Sequence, residues 1–162
     1  MHDKVFIYSR DAANADARSY FKRKGYHAVE LDRDPETFFD GVALVAPEGT
    51  VVVLSHGDGN GPLLVAGTAG PDMTPEQIDR LARLLGEAEA SLYLLSCHTG
   101  NEPFAGELAD TGARFIAPRG YAAFEASSAG VNVYSKEGDR YVGWTANGIE
   151  PPSRNTKPLP IP

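Results

Sequence analysis

Hydrophobic and polar positions follow two different periods in the first part of the chain. Short runs rich in apolar and β-branched residues, at 4–9 and 26–31, predict strands. The segments that follow them, 11–24 and 35–45, carry apolar residues at the spacing of a helix. The pattern therefore predicts the order strand, helix, strand, helix at the start of the chain.

Two later runs, 50–54 and 91–96, are apolar almost throughout, which is typical of strands buried on both faces of a sheet. Each run ends abruptly in a polar loop, and the first of these loops, 55–62, is rich in glycine. Between the two runs, Thr74 provides an N-cap and is followed by apolar residues at helical spacing through Leu85. We expect a helix to connect the two strands.

The rest of the pattern completes the predicted domain. It predicts a small hairpin arm at 63–66, a helix at 104–110 and a strand at 113–117. It also predicts a late β-hairpin formed by 131–135 and 140–144. Alternating strands and helices favour an α/β fold with a mostly parallel sheet and helices on both faces. We assign residues 1–148 to one domain and the proline-rich residues 149–162 to a stiff tail.

His56 and Cys97 are the candidate catalytic residues, because each follows one of the two apolar strands. The carboxyl ends of parallel strands are where such sheets bind ligands. A thiol is a strong nucleophile only as a thiolate, and a neighbouring imidazole can take its proton. The backbone N–H groups of Gly57 and Cys97 are candidate donors to an oxyanion. The alternative is that a histidine and a small buried cysteine stand at strand ends by chance.

Composition narrows the possible partners. The formal net charge of −7 argues against a nucleic-acid partner, because phosphate binding needs a basic surface. No apolar run is long enough for a membrane span or a signal peptide, so we expect action in the cytoplasm, or delivery by a non-classical secretion route, and no membrane partner. Cys97 is the single cysteine, and no pair of histidine and cysteine residues has metal-ligand spacing. We therefore expect neither a metal nor a cofactor.

Two stretches share the form of an apolar strand that ends in a short polar motif. Residues 51–57 read VVVLSHG, and residues 92–100 read LYLLSCHTG. This pair of motifs resembles those of the caspase-like (clan CD) cysteine peptidases, which include metacaspases and CHAT domains. The order of elements from Ser55 through Trp144 is similar to the self-processing protease domain of large bacterial toxins.

The resemblance implies a caspase-like three-layer sandwich and a cysteine endopeptidase that cleaves a protein or peptide substrate. It implies His56 as general base and Cys97 as nucleophile, in a bacterial effector, toxin or regulatory protease. Metacaspases place an acid two positions before the cysteine, where this chain has Leu95, so we expect an apolar or small P1 residue. The toxin domains are activated by inositol hexakisphosphate on a basic surface, and the acidic charge of this chain disfavours that activator. The alternative is a catalytically silent caspase-like module for binding.

Further residues are candidates for substrate contacts. Asp58 and Glu102 flank the expected cleft, where they contact a basic group or remain solvated loop acids. Arg119 and Tyr121 lie in the loop that lines the substrate side in the resembling family, although tyrosine is equally common in cores. His98 is expected to point away from the thiol, since loop neighbours rarely share one face.

Overall fold

The computed structural model describes residues 1–127 and 130–162, and most of them belong to a mixed α/β domain. The strands are β1 (His2–Tyr8), β2 (His27–Glu30), β3 (Val45–Leu54), β4 (Gly57–Asp58), β5 (Gly61–Pro62), β6 (Ser91–Leu94), β7 (Arg114–Pro118), β8 (Tyr121–Ser127), β9 (Gly130–Glu137), β10 (Arg140–Tyr141) and β11 (Trp144–Asn147). The helices are α1 (Ala15–Arg23), α2 (Glu36–Val42), α3 (Pro75–Ala88) and α4 (Phe104–Asp110).

The central sheet has the strand order β11-β7-β6-β3-β1-β2 and is parallel except for the β11–β7 pair. Its middle strands are the apolar runs of the sequence, and Val51, Val52 and Val53 are fully buried. Burial on both faces explains why these strands do not alternate apolar and polar residues. The predicted α/β class with a mostly parallel sheet is confirmed.

Helices pack on both faces of the sheet, as the sequence predicts. On one face, α2, α3 and α4 bury apolar side chains such as Phe38, Leu81 and Leu108 against the strands. On the other face, α1 buries Phe21 against Phe6, with ring centroids 4.4 Å apart. The sheet is thus the middle layer of three.

Local signals determine where the helices begin. Thr74 accepts a hydrogen bond from the backbone of Gln77, whose side chain in turn accepts one from the backbone of Thr74, so α3 begins with a full capping box. Helix α1 begins later than predicted, because the Asn14 side chain caps it by accepting from Ala17 N at 2.8 Å. The three preceding residues instead form the loop that follows β1.

The late β-hairpin is confirmed, although its partners are redistributed. Strand β9 pairs with β10 as expected, but most of its length pairs with β8, which the pattern did not predict. Trp144 leaves this hairpin and joins β11, which pairs antiparallel with β7 in the central sheet. Residues 63–66 form no strand, and the small arm lies earlier, as β4 and β5.

The proline-rich segment 149–162 lies along the domain rather than away from it. Leu159 is buried in the same cluster as Phe21, and its N–H donates to Val133 O at 2.8 Å. The Tyr26 hydroxyl donates to Pro162 O at 2.5 Å. The structure therefore makes this segment part of the layer that covers α1 and β9. No helix in the described ranges is long and apolar enough to cross a membrane.

Candidate functional site

The candidate site lies where three neighbouring strands of the central sheet, β1, β3 and β6, end. Ser9 N–H donates to Leu54 O at 3.0 Å, and Leu95 N–H donates to Val53 O at 2.7 Å, so the strand ends remain in register. The residues that follow these ends are Asp11, His56 and Cys97. The topology therefore brings a carboxylate, an imidazole and a thiol to the same edge of the sheet.

The loops that carry His56 and Cys97 touch through Gly57. A Cβ atom at position 57 would lie 2.8 Å from Thr99 Cγ2, 3.0 Å from Ser96 Cβ and 3.1 Å from Cys97 O. Cys97 is partly exposed. In the described parts of the chain, its sulfur forms no hydrogen bond with His56. The structure thus brings the predicted pair to adjacent loops without a direct bond between the side chains.

Asp11 is the partner of His56 that the sequence analysis did not find. The distance from His56 Nε2 to Asp11 Oδ2 is 2.9 Å, and both side chains are about two-fifths exposed. Partial burial acts to raise the pKa of the Asp11 carboxyl, but the hydrogen bonds that it accepts from His56, from Ser9 and from backbone together outweigh burial, so this pKa lies below its usual value. The sequence signal that could have indicated this contact is an acidic residue two positions after Ser9, just past the end of the first predicted strand and at the same edge of the sheet as His56.

A second imidazole belongs to His98, the residue that follows Cys97 in the chain. His98 has a left-handed backbone, with φ 61°, and its N–H donates to Gly120 O at 2.8 Å. Its Nε2 is hydrogen-bonded to Glu137, and its ring packs edge-on against Tyr121 with 4.5 Å between centroids. The side chain is directed at the three-stranded sheet. The spacing of residues along the chain did not indicate Glu137 as the partner of His98, because β9 is brought close to His98 only by its pairing with β8.

The two predicted loop acids each bond to their own loop. Asp58 accepts a hydrogen bond from Asn60 N at 2.7 Å, which is the contact of an Asx turn. Glu102 accepts one from Gly106 N at 3.2 Å in the first turn of α4. Both carboxylates thus accept hydrogen bonds from local backbone.

The other predicted substrate contacts differ in accessibility. Leu95 is 1% exposed and packs in the core with Phe21, so its side chain offers no surface to a ligand in this structure. Arg119 donates from Nε to Thr145 Oγ1 at 3.0 Å. Tyr121 is 53% exposed, which is unusual for a large ring in this domain. Within the described ranges, no group of three or more metal-ligating side chains occurs.

Comparisons with known proteins give no family. No family model matches the chain, and no curated protein matches it. Solved structures that match include an aromatic-amino-acid aminotransferase from Burkholderia pseudomallei covalently bound to pyridoxal phosphate, at a TM-score of 0.44 and 18% identity over 71% of this chain and 30% of that one. They also include a cytoplasmic aspartate aminotransferase from Giardia lamblia, at a TM-score of 0.45 and 13% identity over 70% of this chain and 29% of that one. The chain thus spans about 30% of the length of the first of these enzymes.

These neighbours contradict the family predicted from the sequence. The predicted caspase-like cysteine endopeptidase and its hydrolase class are wrong against this comparison, and the alternative of a silent caspase-like module is not supported either. The short motifs around His56 and Cys97 did not suffice to identify a family. At TM-scores below 0.5, the likeness also transfers no aminotransferase activity to this chain.

The residues at the candidate site do not fit pyridoxal phosphate, which enzymes hold as a Schiff base on a lysine. Lys4 donates to Lys24 O, and Lys136 pairs with Glu125 on the three-stranded sheet. None of the chain's lysines follows β1, β3 or β6 at the edge that carries Cys97; they are Lys4, Lys22, Lys24, Lys136 and Lys157. This edge of the sheet therefore lacks the lysine that a Schiff base with pyridoxal phosphate requires.

Proposed function

We propose that the chain is a thiol-dependent acyltransferase that carries an acyl group on Cys97. In this proposal His56 takes the thiol proton, Asp11 orients His56, and the N–H groups of Gly57 and Cys97 stabilise the oxyanion. The observation that carries the proposal is the 2.9 Å hydrogen bond between His56 Nε2 and Asp11 Oδ2 at the strand end beside Cys97.

The Asp11 contact sets the protonation of the imidazole. An ionised carboxylate only accepts hydrogen bonds, so the proton between the two side chains belongs to His56 Nε2. The lone pair of a neutral imidazole then lies on Nδ1, and that atom is the base for the thiol. The partial exposure of Cys97 gives a substrate access to the sulfur.

The proposed substrate is an ester or thioester donor. The Cys97 thiolate attacks the donor carbonyl, a bond forms between the acyl carbon and the Cys97 sulfur, and the acyl C–O bond of the ester or C–S bond of the thioester breaks. The alcohol or thiol of the donor then leaves with the proton held by His56. A nucleophilic acceptor such as an amine then attacks the resulting thioester, so that a carbon–nitrogen bond forms, the carbon–sulfur bond breaks, and His56 transfers the proton lost by the amine to the Cys97 sulfur. The Cys97 N–H, which donates to no acceptor in the described ranges, is available to the oxyanion.

A reduced Cys97 is needed throughout this cycle. Thiols remain reduced in the cytosol, where glutathione and thioredoxin maintain them. The proposal therefore includes action in the cytoplasm.

The experiment is to trap the thioester. Incubating the protein with p-nitrophenyl acetate should add one acetyl group at Cys97, located by peptide mass spectrometry, and an added amine should remove it with formation of the acetamide. Cys97→Ala should abolish the adduct, while circular dichroism shows an intact fold, since truncating a partly exposed cysteine costs about 1 kcal/mol.

The matched control is His27→Ala, which removes an exposed imidazole stacked on His2, away from the site. It should leave the rate of acetylation unchanged. Acetylation that does not depend on Cys97, or a Cys97 adduct that forms at the same rate in His56→Ala, would exclude the proposed chemistry.

A further inference from the structure

A serine precedes each of the two candidate catalytic residues. Ser55 lies before His56 and Ser96 before Cys97, and the exposed fractions of these serines are 3% and 0%. Buried hydroxyls are costly unless they form hydrogen bonds. Two buried serines at adjacent strand ends therefore require a structural explanation of their own.

The two hydroxyls bond to each other across the strand ends. The distance from Ser55 Oγ to Ser96 Oγ is 3.1 Å, and Ser55 Oγ also donates to His56 O at 3.2 Å. A hydroxyl has one proton, so a Ser55 that donates to His56 O must accept from Ser96. The direction of the chain of hydrogen bonds is thus from Ser96 through Ser55 to the backbone of His56.

Backbone contacts extend this chain on the Cys97 side. Ser55 N–H donates to Ser96 Oγ at 3.4 Å, and Thr99 Oγ1 donates to Ser96 O at 2.7 Å. Thr99 is fully buried and packs beside Gly57. The His56 loop is therefore bonded to Ser96, which directly precedes Cys97, and the Cys97 loop is bonded to Ser55, which directly precedes His56.

We infer that Ser55 and Ser96 are positioning residues whose hydroxyl pair holds the His56 loop in register with the Cys97 loop, so that the imidazole can reach the thiol. This inference rests on the proposed function. The serines act through the backbone of their neighbours and touch no substrate. Small errors in the position of a base reduce rates strongly, which gives a buried hydrogen bond at this point a measurable effect on chemistry.

The test compares Ser55→Ala and Ser96→Ala with Ser135→Ala. Ser135 is also fully buried and accepts a backbone hydrogen bond, from Gly120 at 3.1 Å, so its loss is a matched structural perturbation. The measurement is the rate of Cys97 alkylation by iodoacetamide between pH 5 and pH 9, on variants shown to be folded by circular dichroism. Parallel measurements use His56→Ala alone and together with Ser96→Ala.

The two serine variants should alkylate about fivefold more slowly than the wild type, the factor that corresponds to one neutral hydrogen bond. Their pH profiles should move toward that of His56→Ala, and Ser96→Ala should add nothing in the His56→Ala background. Ser135→Ala should keep the wild-type rate and profile. If Ser96→Ala does not fold, Ser55→Ala provides the same test, because it removes the pair and leaves the Ser96 side chain in place.

Two results would overturn the inference in distinguishable ways. Folded serine variants with the wild-type rate and pH profile would limit the hydroxyl pair to a role in stability, while the His56 dependence of the wild type would leave the proposed function intact. A wild-type rate that is unaffected by His56→Ala would remove the proposed function and this inference together.

Discussion

Two imidazole–carboxylate pairs are formed by residues of the Cys97 loop and of the adjacent His56 loop, and the two pairs differ in which sheets they connect. His56 and Asp11 both follow strands of the central parallel sheet, and their side chains are about two-fifths exposed. His98 and Glu137 connect the loop after β6 to the three-stranded sheet, and the His98 side chain is less exposed, at 26%. The same pair of functional groups therefore occurs once at the edge of the main sheet and once between two sheets.

The backbone distinguishes the two pairs further. His98 has a left-handed φ of 61°, which is uncommon for residues other than glycine, its N–H donates to Gly120 O just before β8, and its Nε2 is hydrogen-bonded to Glu137 of β9. Contacts of this kind hold a loop in one conformation. Among the described residues the His56 ring is hydrogen-bonded only through Nε2, to Asp11, so its other ring nitrogen remains available for proton transfer in the proposed reaction. In the proposed reaction, similar chemical groups thus serve an anchoring role in one case and a catalytic role in the other.

The largest expected difference between the pairs concerns the imidazoles. We expect His56→Asn to reduce the rate of Cys97 acetylation about 10²-fold, the usual contribution of a general base. His98→Asn should change the rate less than about threefold, because asparagine tolerates the left-handed backbone and only the anchoring ring is lost. The measurement is the rate of acetyl adduct formation by mass spectrometry, on variants with matched circular dichroism spectra.

The result that contradicts this assignment is a reversed order. A larger loss in His98→Asn than in His56→Asn would identify His98 as the base and Glu137 as its orienting group. The control is His27→Asn, which removes an exposed imidazole elsewhere.

The carboxylates should show a smaller difference in the same direction. Asp11→Asn should reduce the acetylation rate about tenfold, since it removes a charge-assisted hydrogen bond and changes which ring nitrogen carries the proton. Glu137→Gln should reduce thermal stability with little change in rate. Comparing rate and melting temperature for each variant separates the two roles, and equal rate losses in both would contradict the division between them.

The smallest effect concerns the pH dependence of stability. The folded pKa of Asp11 lies below its usual value, so the carboxylate stabilises the fold above the ordinary aspartate pKa, and this contribution is lost as the pH falls through the folded value. The difference in the free energy of unfolding between wild type and Asp11→Asn should therefore be larger at pH 6 than at pH 3. Urea unfolding at the two pH values measures it.

The control for this measurement removes the partner of Asp11. In a His56→Ala background, the effect of Asp11→Asn should depend less on pH, because the hydrogen bond and the charge of His56, which both lower the Asp11 pKa, are absent. A stability difference that is the same at pH 3 and pH 6 in the wild-type background would contradict the assignment.

The alternation of apolar runs was sufficient to predict most of the fold. The pattern predicts that 50–54 and 91–96 are strands buried on both faces and connected by a helix, and β3 and β6 pair in parallel at these positions. Strands β8 and β11 were missed because their stability depends on partners distant in the sequence. Residues 121–127 have little alternation of their own and become a strand through pairing with β9.

The site could be predicted only in part, for a related physical reason. His56 and Cys97 follow strongly apolar strands, so their placement at one edge could be expected from the sequence. Asp11 follows β1, and its contact with His56 depends on the strand order, which periodicity does not determine. Ser55 and Ser96 were overlooked because a serine beside a reactive residue has no distinctive spacing.

The contact of Gly57 with the Cys97 loop has a consequence for how this protein can vary in evolution. A methyl group at position 57 would lie 2.8 Å from Thr99 Cγ2 and 3.0 Å from Ser96 Cβ. Positions 57, 96 and 99 therefore share one limited volume between two loops. A larger residue at one of them is accommodated only when a smaller residue appears at another, so we expect these three positions to covary among homologous sequences even where the surrounding loops diverge.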